Sequence, residues 1–393
     1  MLSSFERGVI ILINNALKGQ NTPLPEDFDY SRLYEFAKMQ QVMPLLYYGG
    51  RNDADFLAKD ERKRIYATAM YLSLMNQNQS EELHALCCAF EENGVDYMKL
   101  KGSVIRKLYP SSDMRLLGDA DILIRQNQME GIEKLMRELG YNHVVTSDHE
   151  WIWRKGELGV ELHKRLIPSY TKDLYAYFGD GWALAKKRDE KGYEYAFSPE
   201  DELIYLVSHF TKHYRYAGIG IKHLVDLKVF VDAHPSLDHG YVDLAFEKLG
   251  IAQFYRNIQR TLEVWFNGAE CDEVTEFITK KVFSGGAYGT TKDKSRYEAA
   301  ALTKDTNAKS ARRKKFWSVV FPSYQNMCDE RLWLRKCPIL LPFAWAGRLV
   351  TVLLFRRDHI RRERETISAI NASEIESYKA ELKLVGLDFN FEI

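Results

Sequence analysis

The sequence has few of the features that mark disulfide-rich, metal-ribbon or membrane-spanning proteins. It contains five cysteines in 393 residues, an odd number without a C-x-x-C pair, which excludes a disulfide framework or a zinc ribbon as the basis of the fold. The most lipid-like stretch, 339–355, is interrupted by Pro342, Gly347 and Arg348. It also falls short of the ~20 apolar residues that span a bilayer, so we expect no transmembrane segment.

A net charge is also absent. The chain has 55 Lys+Arg against 55 Asp+Glu, with a pI near 7.1, which excludes a surface coated with one charge for non-specific nucleic-acid binding. The apolar run near the start, 8–13, follows Glu6 and is too short and too acidic for a secretory signal. Together with the unpaired cysteines, this predicts a cytoplasmic location.

What the chain does contain is the composition of a folded protein with a buried core, because 46% of its residues are hydrophobic and 13% are aromatic. Near the N-terminus, apolar residues recur at helical spacing from Leu33 to Leu46, which predicts a helix closed by Gly49 and Gly50. The period then changes to that of short strands. An α+β fold follows from this order of elements.

The same patterns divide the chain into segments. Ser198 before Pro199 and two acidic residues is typical of a helix start, and small polar residues dominate from 284 to 310. The predicted segments are an N-terminal helical region at 1–94, a mixed-sheet domain at 95–197, a helical domain at 198–283, a flexible loop or linker at 284–310 and a C-terminal helical region at 311–393.

Two acidic residues stand two positions apart at the start of a buried strand. Asp119 and Asp121 flank Ala120, and the apolar run 122–124 follows. Since side chains at positions i and i+2 of a strand point to the same face, the two carboxylates are expected to lie side by side. Two like charges at this spacing stay ionised when a hard divalent cation neutralises them. The pattern predicts a site for Mg²⁺, with Mn²⁺ as an alternative.

A third carboxylate is expected on a neighbouring strand, and Glu161 is the best candidate. It interrupts the otherwise apolar strand 158–163, where an acidic residue without a partner would be unfavourable. The alternative is an edge-strand acid that pairs with Lys164 or Arg165. His163 shares the face of Glu161, so it either lines the pocket or has a structural role.

A phosphate-binding turn is predicted upstream of these acids. Lys101, Gly102 and Ser103 stand where a strand gives way to a helix, and a glycine there lets the backbone and the helix N-terminus approach a phosphate. Lys101 would contact the phosphate through its ammonium group. Arg115 either supports the triphosphate or pairs with Asp113.

These motifs resemble the uncharacterised nucleotidyltransferase family of the DNA polymerase β superfamily and, more distantly, the abortive-infection toxin nucleotidyltransferases. The pattern is L-K-G, then Y-P, then R-x-x-G-D-x-D-I-L, then an acid-L-H strand. The matching residues are Leu100, Lys101, Gly102, Tyr109, Pro110, Arg115, Gly118, Asp119, Ala120, Asp121, Ile122, Leu123, Glu161, Leu162 and His163.

The resemblance implies a nucleotidyltransferase-like sheet domain at 95–197, in which Asp119, Asp121 and Glu161 hold two metal ions. It implies Mg²⁺-dependent transfer of a nucleotidyl group from an NTP, such as ATP, to a hydroxyl group of a small molecule, protein or RNA. Glu161 would accept the proton of that hydroxyl group. The residues expected to bind the nucleotide are Lys101, Gly102, Ser103, Arg115 and Gly118.

Two other functions fit the sequence. One is a non-catalytic nucleotide-binding or assembly module, for example in surface-polysaccharide synthesis. The positions of the three carboxylates distinguish this module from the enzyme. In an active two-metal site they converge, because the two ions lie ~3.5–4 Å apart. The other is a toxin-like enzyme acting on tRNA, which requires a basic groove leading to Asp121.

Two further groups of residues have a plainer interpretation. His209 and His213 stand one helical turn apart but lack the glutamate of the H-E-x-x-H zinc motif, so they are expected to pack or to line the substrate pocket. The basic groups 312–315 and 356–364 could contact RNA or an acidic membrane. Acidic residues interleaved in the second group favour a solvated helical face.

Overall fold

The computed structural model describes residues 2–53, 56, 60–147, 149–168, 171–302, 308–324, 327–328, 331, 334, 337–355 and 371–388. These residues form a mixed seven-stranded sheet with helices before and after it, which confirms the predicted α+β class. None of the helices in these ranges combines the length and the apolar character that a bilayer span requires.

The region before the sheet is helical. Its helices are α1 (Ser4–Lys18), α2 (Leu33–Gln40), α3 (Met43–Gly50) and the long α4 (Asp60–Glu92). α1 begins at a capping box of Ser3 and Glu6, which satisfies two backbone N–H groups. The single helix expected from Leu33 onwards is instead two helices, because Gln41 adopts a φ of 58° and Pro44 starts a new one.

The sheet has the strand order β3-β4-β5-β2-β1-β7-β6. Its strands are β1 (Tyr97–Lys99), β2 (Ala120–Ile124), β3 (Asn142–Thr146), β4 (Glu150–Lys155), β5 (Leu158–His163), β6 (Lys186–Lys187) and β7 (Glu194–Ala196). β2 lies at the centre, antiparallel to β1 and parallel to β5. The strands predicted at the start of 95–197 are therefore present, and they pair around β2.

The two faces of β2 and β5 are packed by different layers. Ile122, Ile124 and Val160 are fully buried in one hydrophobic cluster with α4 and α6 (Met129–Glu138). Leu123 is buried in the other cluster, together with the helices that follow the sheet. Because side chains alternate along a strand, Asp121 points to the same side as Leu123, towards those helices.

Helices dominate the chain after the sheet. They are α7 (Lys172–Phe178), α8 (Pro199–Tyr216), α9 (Ile221–Ala233), α10 (His239–Lys248), α11 (Ala252–Phe266), α12 (Glu273–Ser284), α13 (Thr291–Leu302), α14 (Ala308–Val320), α15 (Leu341–Phe355) and α16 (Ala372–Leu384); the short α5 (Gly102–Ile105) lies within the sheet domain. Ser198 caps α8 through a bond from the Asp201 N–H group, as its sequence predicts. Most of α8 is buried, because it runs through the main hydrophobic cluster.

The segment expected to be a flexible loop or linker, 284–310, differs from that expectation. It contains a tight turn at 285–290, all of α13 and the start of α14, while 303–307 lie outside the described residues. Its small residues serve close packing: a side chain on Gly289 would lie 1.7 Å from the carbonyl oxygen of Ala217. The small residues of this segment therefore indicate close packing, and not a flexible backbone.

The C-terminal basic groups are only partly described. Arg312, Arg313 and Lys314 are exposed on α14, as expected for a solvated face. The second group, 356–364, lies outside the described residues. The proposed boundaries between domains stay predictions.

Candidate active site

Asp121 lies at the centre of a group of charged side chains on the sheet. Lys101 donates a hydrogen bond to Asp121 Oδ1 at 2.6 Å, and His163 Nε2 lies 2.8 Å from the same oxygen. Glu161 stands opposite Asp121 in the parallel register of β2 and β5, and its Oε2 lies 3.6 Å from His163 Nε2. The ligand atoms of Asp121, Glu161 and His163 all lie within 4.8 Å of one another.

Lys101 and Gly102 form the turn between β1 and α5. Lys101 has a φ of 50°, which is rare for a residue with a side chain, and this conformation directs the chain into α5. A Cβ atom on Gly102 would lie 3.4 Å from Arg115 Nη2 and from the carbonyl oxygen of Leu117. The turn is therefore tightly packed under the site. Ser103 is buried and lines a different, smaller cavity with Arg106.

Arg115 joins the sheet domain to the helices. Its guanidinium group donates two bonds to Asp226 on α9, from Nε to Oδ1 at 2.8 Å and from Nη2 to Oδ2 at 2.9 Å. Tyr109 also donates to Asp226 Oδ1, at 2.7 Å. Asp226, and not Asp113, is thus the partner of Arg115. The guanidinium group still lines the central cavity.

Asp119 lies at the edge of this arrangement. It precedes β2, is exposed, and lines the same cavity as Asp121 and Glu161. Its carboxylate leans over β5, where a side chain on Gly159 would lie 2.0 Å from Asp119 Oδ1. Asp119 does not belong to the group of described ligand atoms that lie within 4.8 Å of one another. Two of the three predicted carboxylates therefore meet closely, and the third lies on the rim.

The cavity has a volume of about 590 Å³, which suits a small-molecule ligand. Its sheet side carries the residues expected to bind metal and nucleotide: Lys101, Gly102, Arg115, Gly118, Asp119, Asp121 and Glu161. Its helical side carries His209, His213, Lys222, His223 and Tyr288. The expectation that His209 and His213 line a pocket agrees with this position.

The two close carboxylates have opposite electrostatic environments. Burial raises the pKa of Asp121, but the Lys101 ammonium and the bond to His163 outweigh it and hold that pKa well below its usual range. The contact with His163 lowers the pKa of Glu161, but burial and the carboxylates of Asp121 and Glu150 outweigh it, so the pKa is raised. Asp121 is therefore held as an anion, and Glu161 has the greater tendency to take a proton.

The structure adds residues that the sequence did not indicate. His149 Nε2 lies 3.1 Å from Glu150 Oε2, and both lie near His163 on the neighbouring strand. Lys222 and Tyr288 come from elements far along the chain. Their sequences carry no motif, so only the packing of the helices against the sheet identifies them.

Comparison with known proteins supports a family assignment. No curated protein matches the sequence. Among solved structures, the chain is similar to the antibiotic-resistance factor ANT(2'')-Ia, with 14% identity over 48% of this chain and 97% of that one and a TM-score of 0.32. The profile of a family described as "uncharacterised nucleotidyltransferase" matches residues 26–267, more than half of the chain and every residue of the sheet side of the cavity. The chain therefore belongs to the uncharacterised nucleotidyltransferase family.

Proposed function

We propose that the chain is an enzyme that transfers a nucleotidyl group from an NTP to a hydroxyl group of an acceptor at the sheet side of the cavity. The observation that carries this proposal is the pair of carboxylates, Asp121 and Glu161, opposite each other on adjacent parallel strands. A half-buried lysine contacts one of them, and both face a cavity of ligand size. Membership of the family supports the reaction class.

The residues fit a divalent cation of the Mg²⁺ type. Lys101 and His163 both contact Oδ1 of Asp121, and Oδ2 has no bonding partner in the described part of the chain. Carboxylate oxygens are the ligands that Mg²⁺ and Mn²⁺ prefer, and Glu161 offers more of them within 4.8 Å. Asp121 and Glu161 would hold the ion, with Asp119 at the rim. Bound there, it would neutralise phosphate charge and lower the pKa of the acceptor hydroxyl.

The side chains around the pair would divide the remaining work. Lys101 and His163 keep Asp121 ionised and fix its orientation. Glu161, whose pKa is raised, would accept the proton of the hydroxyl group. Lys101, Gly102, Arg115 and Gly118 line the cavity beside the carboxylates and would contact the phosphates through N–H groups. Ser103 lines another cavity, so we do not propose that it contacts the phosphates.

Two observations favour the alternative of a nucleotide-binding module with little or no turnover. The ion pair between Lys101 and Asp121 is short, at 2.6 Å, and a cation at Asp121 has to coexist with the ammonium group or displace it. Asp119 also stands apart from the other two carboxylates. Both features would weaken a two-metal site while leaving nucleotide binding intact.

The test is a screen of the purified chain against the four NTPs with Mg²⁺ or Mn²⁺, read as thermal stabilisation and as pyrophosphate release. Asp121→Asn should reduce pyrophosphate release at least about tenfold, a loss typical of a disturbed metal site. The control is Asp243→Asn, which removes an exposed carboxylate on α10. Equal release by wild type and Asp121→Asn would contradict the proposal. Metal-dependent NTP binding without release would favour the binding module.

A further inference from the structure

We propose that Lys222, His213, His223 and Tyr288, on the helical side of the cavity, form a subsite that binds a phosphate group of a substrate. The inference rests on the proposed function, because it takes the cavity as the place where substrates bind. It adds a ligand class and a set of residues on the wall opposite the carboxylates.

Lys222 is a buried cation without an acidic partner. It lies in the first turn of α9 and is 6% exposed. Its Nζ donates to Gln41 Oε1 at 3.0 Å and lies 3.9 Å from the centre of the Tyr288 ring. In the described ranges, no carboxylate lies within ion-pair distance of Lys222, whereas Lys101 and Arg115 of the same cavity each have one. A buried ammonium group left in this state favours the arrival of an anion.

Two histidines extend the same wall. The rings of His213 and His223 lie 6.2 Å apart, and each lies 6.1 Å from the ring of Tyr288. His223 is 5% exposed, and its Nδ1 is buried without a hydrogen bond in the described part of the chain, apart from a weak contact with the backbone of Gly220. The wall thus offers buried nitrogen atoms, and Asp226, the acidic side chain of α9 that also lines the cavity, is paired with Arg115 and Tyr109.

The pKa values of Lys222 and His213 would respond to a bound anion. Burial, followed by the charge of Arg115, lowers the pKa of Lys222 to about 7. Burial, followed by the charges of Lys212 and Lys101, lowers the pKa of His213 to about 3. A bound anion would raise the pKa of both groups, since it stabilises the protonated forms. Binding should therefore be accompanied by proton uptake.

Phosphate suits this wall better than a metal ion does. A metal ion at this wall would lie beside Lys222, and Asp226, the carboxylate of α9 that lines the cavity, is already paired with Arg115 and Tyr109. An ammonium group with several N–H donors around it is a common phosphate site. Two substrates could supply the phosphate: the triphosphate chain of the NTP, or a phosphate group on the acceptor.

The test measures pyrophosphate and inorganic phosphate binding to the purified chain by calorimetry, in two buffers of different ionisation enthalpy. Lys222→Gln should weaken pyrophosphate binding about tenfold or more and reduce the proton uptake. The control is Lys228→Gln, since Lys228 on the same helix pairs with Asp232 at 2.6 Å and lies outside the cavity lining. His223→Gln tests the wall independently if Lys222→Gln fails to fold. Equal binding by wild type, Lys222→Gln and His223→Gln, or no binding to wild type, would overturn the proposal.

A second measurement separates the two sources. If Lys222→Gln weakens the binding of ATP but not of AMP, the phosphate belongs to the NTP. If it weakens pyrophosphate and leaves ATP unchanged, the phosphate belongs to the acceptor. Neither reading requires turnover, so a chain that binds pyrophosphate through Lys222 but releases none from any NTP refutes the proposed function alone. Turnover with pyrophosphate affinity unchanged in Lys222→Gln and His223→Gln refutes the subsite alone.

Discussion

At the scale of single residues, Lys101 combines a contact to Asp121 with a place in the lining of the cavity. It keeps Asp121 ionised through a bond of 2.6 Å, and it lines the cavity where phosphates would bind. Its backbone has an unusual conformation, with φ at 50°, at the turn between β1 and α5. Its removal should therefore affect turnover far more than the loss of one surface charge does.

We expect Lys101→Met to lower pyrophosphate release at least about tenfold, because a charge-assisted contact to phosphate and the partner of Asp121 are lost together. The matched control is Lys99→Met, two positions earlier, where the ammonium group pairs with Glu194 at 2.8 Å. Steady-state assays with each NTP provide the comparison. Similar rates for the two variants would show that Lys101 has no special role.

Glu202 gives a residue-scale prediction about pH. It is 6% exposed in the first turn of α8, its Oε1 has no hydrogen bond in the described ranges, and burial raises its pKa from 4.5 to about 8. A carboxyl group that binds its proton more tightly in the folded chain stabilises the fold below about pH 4.5. This contribution is lost as the pH rises to about 8. The change amounts to at most roughly 1.4 kcal/mol for each pH unit.

The substitution Glu202→Gln should remove this pH dependence, because the amide stays neutral. Urea unfolding of wild type and variant across the interval shows the effect. The variant should gain relative stability towards pH 8. If the two free energies of unfolding change in parallel with pH, the carboxyl group does not titrate as described.

At the scale of elements, the sheet domain is fastened to α9 by Asp226. Its carboxylate, 3% exposed, accepts bonds from Arg115 and Tyr109. Asp226→Asn leaves a half-buried guanidinium group without its charge partner, a change that costs up to about 3–5 kcal/mol. The control on the same helix is Asp232→Asn, which breaks an exposed pair with Lys228 worth less than about 1 kcal/mol. Chemical unfolding of both variants tests this, and equal losses would contradict it.

The turn at 285–290 forms a second connection between elements, through hydrogen bonds to the ends of α2 and α8. The Ala287 N–H group donates to the Met39 carbonyl and the Thr290 N–H group to that of Ala217, so the turn connects the end of α2 with the end of α8. Tyr288 is thereby held against Lys222. Tyr288 lies outside 26–267, the range of the family match. Its position thus depends on the two backbone hydrogen bonds of this turn.

We expect Gly289→Ala to destabilise the chain and to weaken pyrophosphate binding at the proposed phosphate subsite. Its φ of +77° costs about 1–2 kcal/mol for any side chain, and the clash with the Ala217 carbonyl adds about 1–3 kcal/mol. Gly268→Ala is the control, because its φ is +73° and nothing lies within 4 Å of the added methyl group. Thermal unfolding of both variants separates the effect of the clash with the Ala217 carbonyl from the cost of a side chain at positive φ. Equal melting temperatures for Gly289→Ala and Gly268→Ala would show that the turn moves to accommodate the methyl group.

At the scale of the whole molecule, the sequence predicted what depends on local pattern. The strands and the helix starts follow from periodicity and from capping residues such as Ser198, and the close approach of Asp121 to Glu161 was expected from a D-x-D strand beside a strand with one acid. The break at Gln41 between α2 and α3 was missed, although Pro44 marks it. Lys222 and Tyr288 could not be predicted, because their place in the cavity depends on contacts between distant elements.

The strand order also has a consequence for how the chain folds as it is synthesised. Asp121 and His163 are 42 positions apart, and β1 receives its second neighbour only when Glu194–Ala196 has been made. Until then, one edge of the central strands has unpaired N–H and C=O groups, the kind of edge that recruits foreign strands. Contacts of such sequence separation also form slowly. A nascent chain that stalls before β7 therefore carries Asp121 and Glu161 on an open-edged sheet, a form that is prone to aggregation and depends on chaperones.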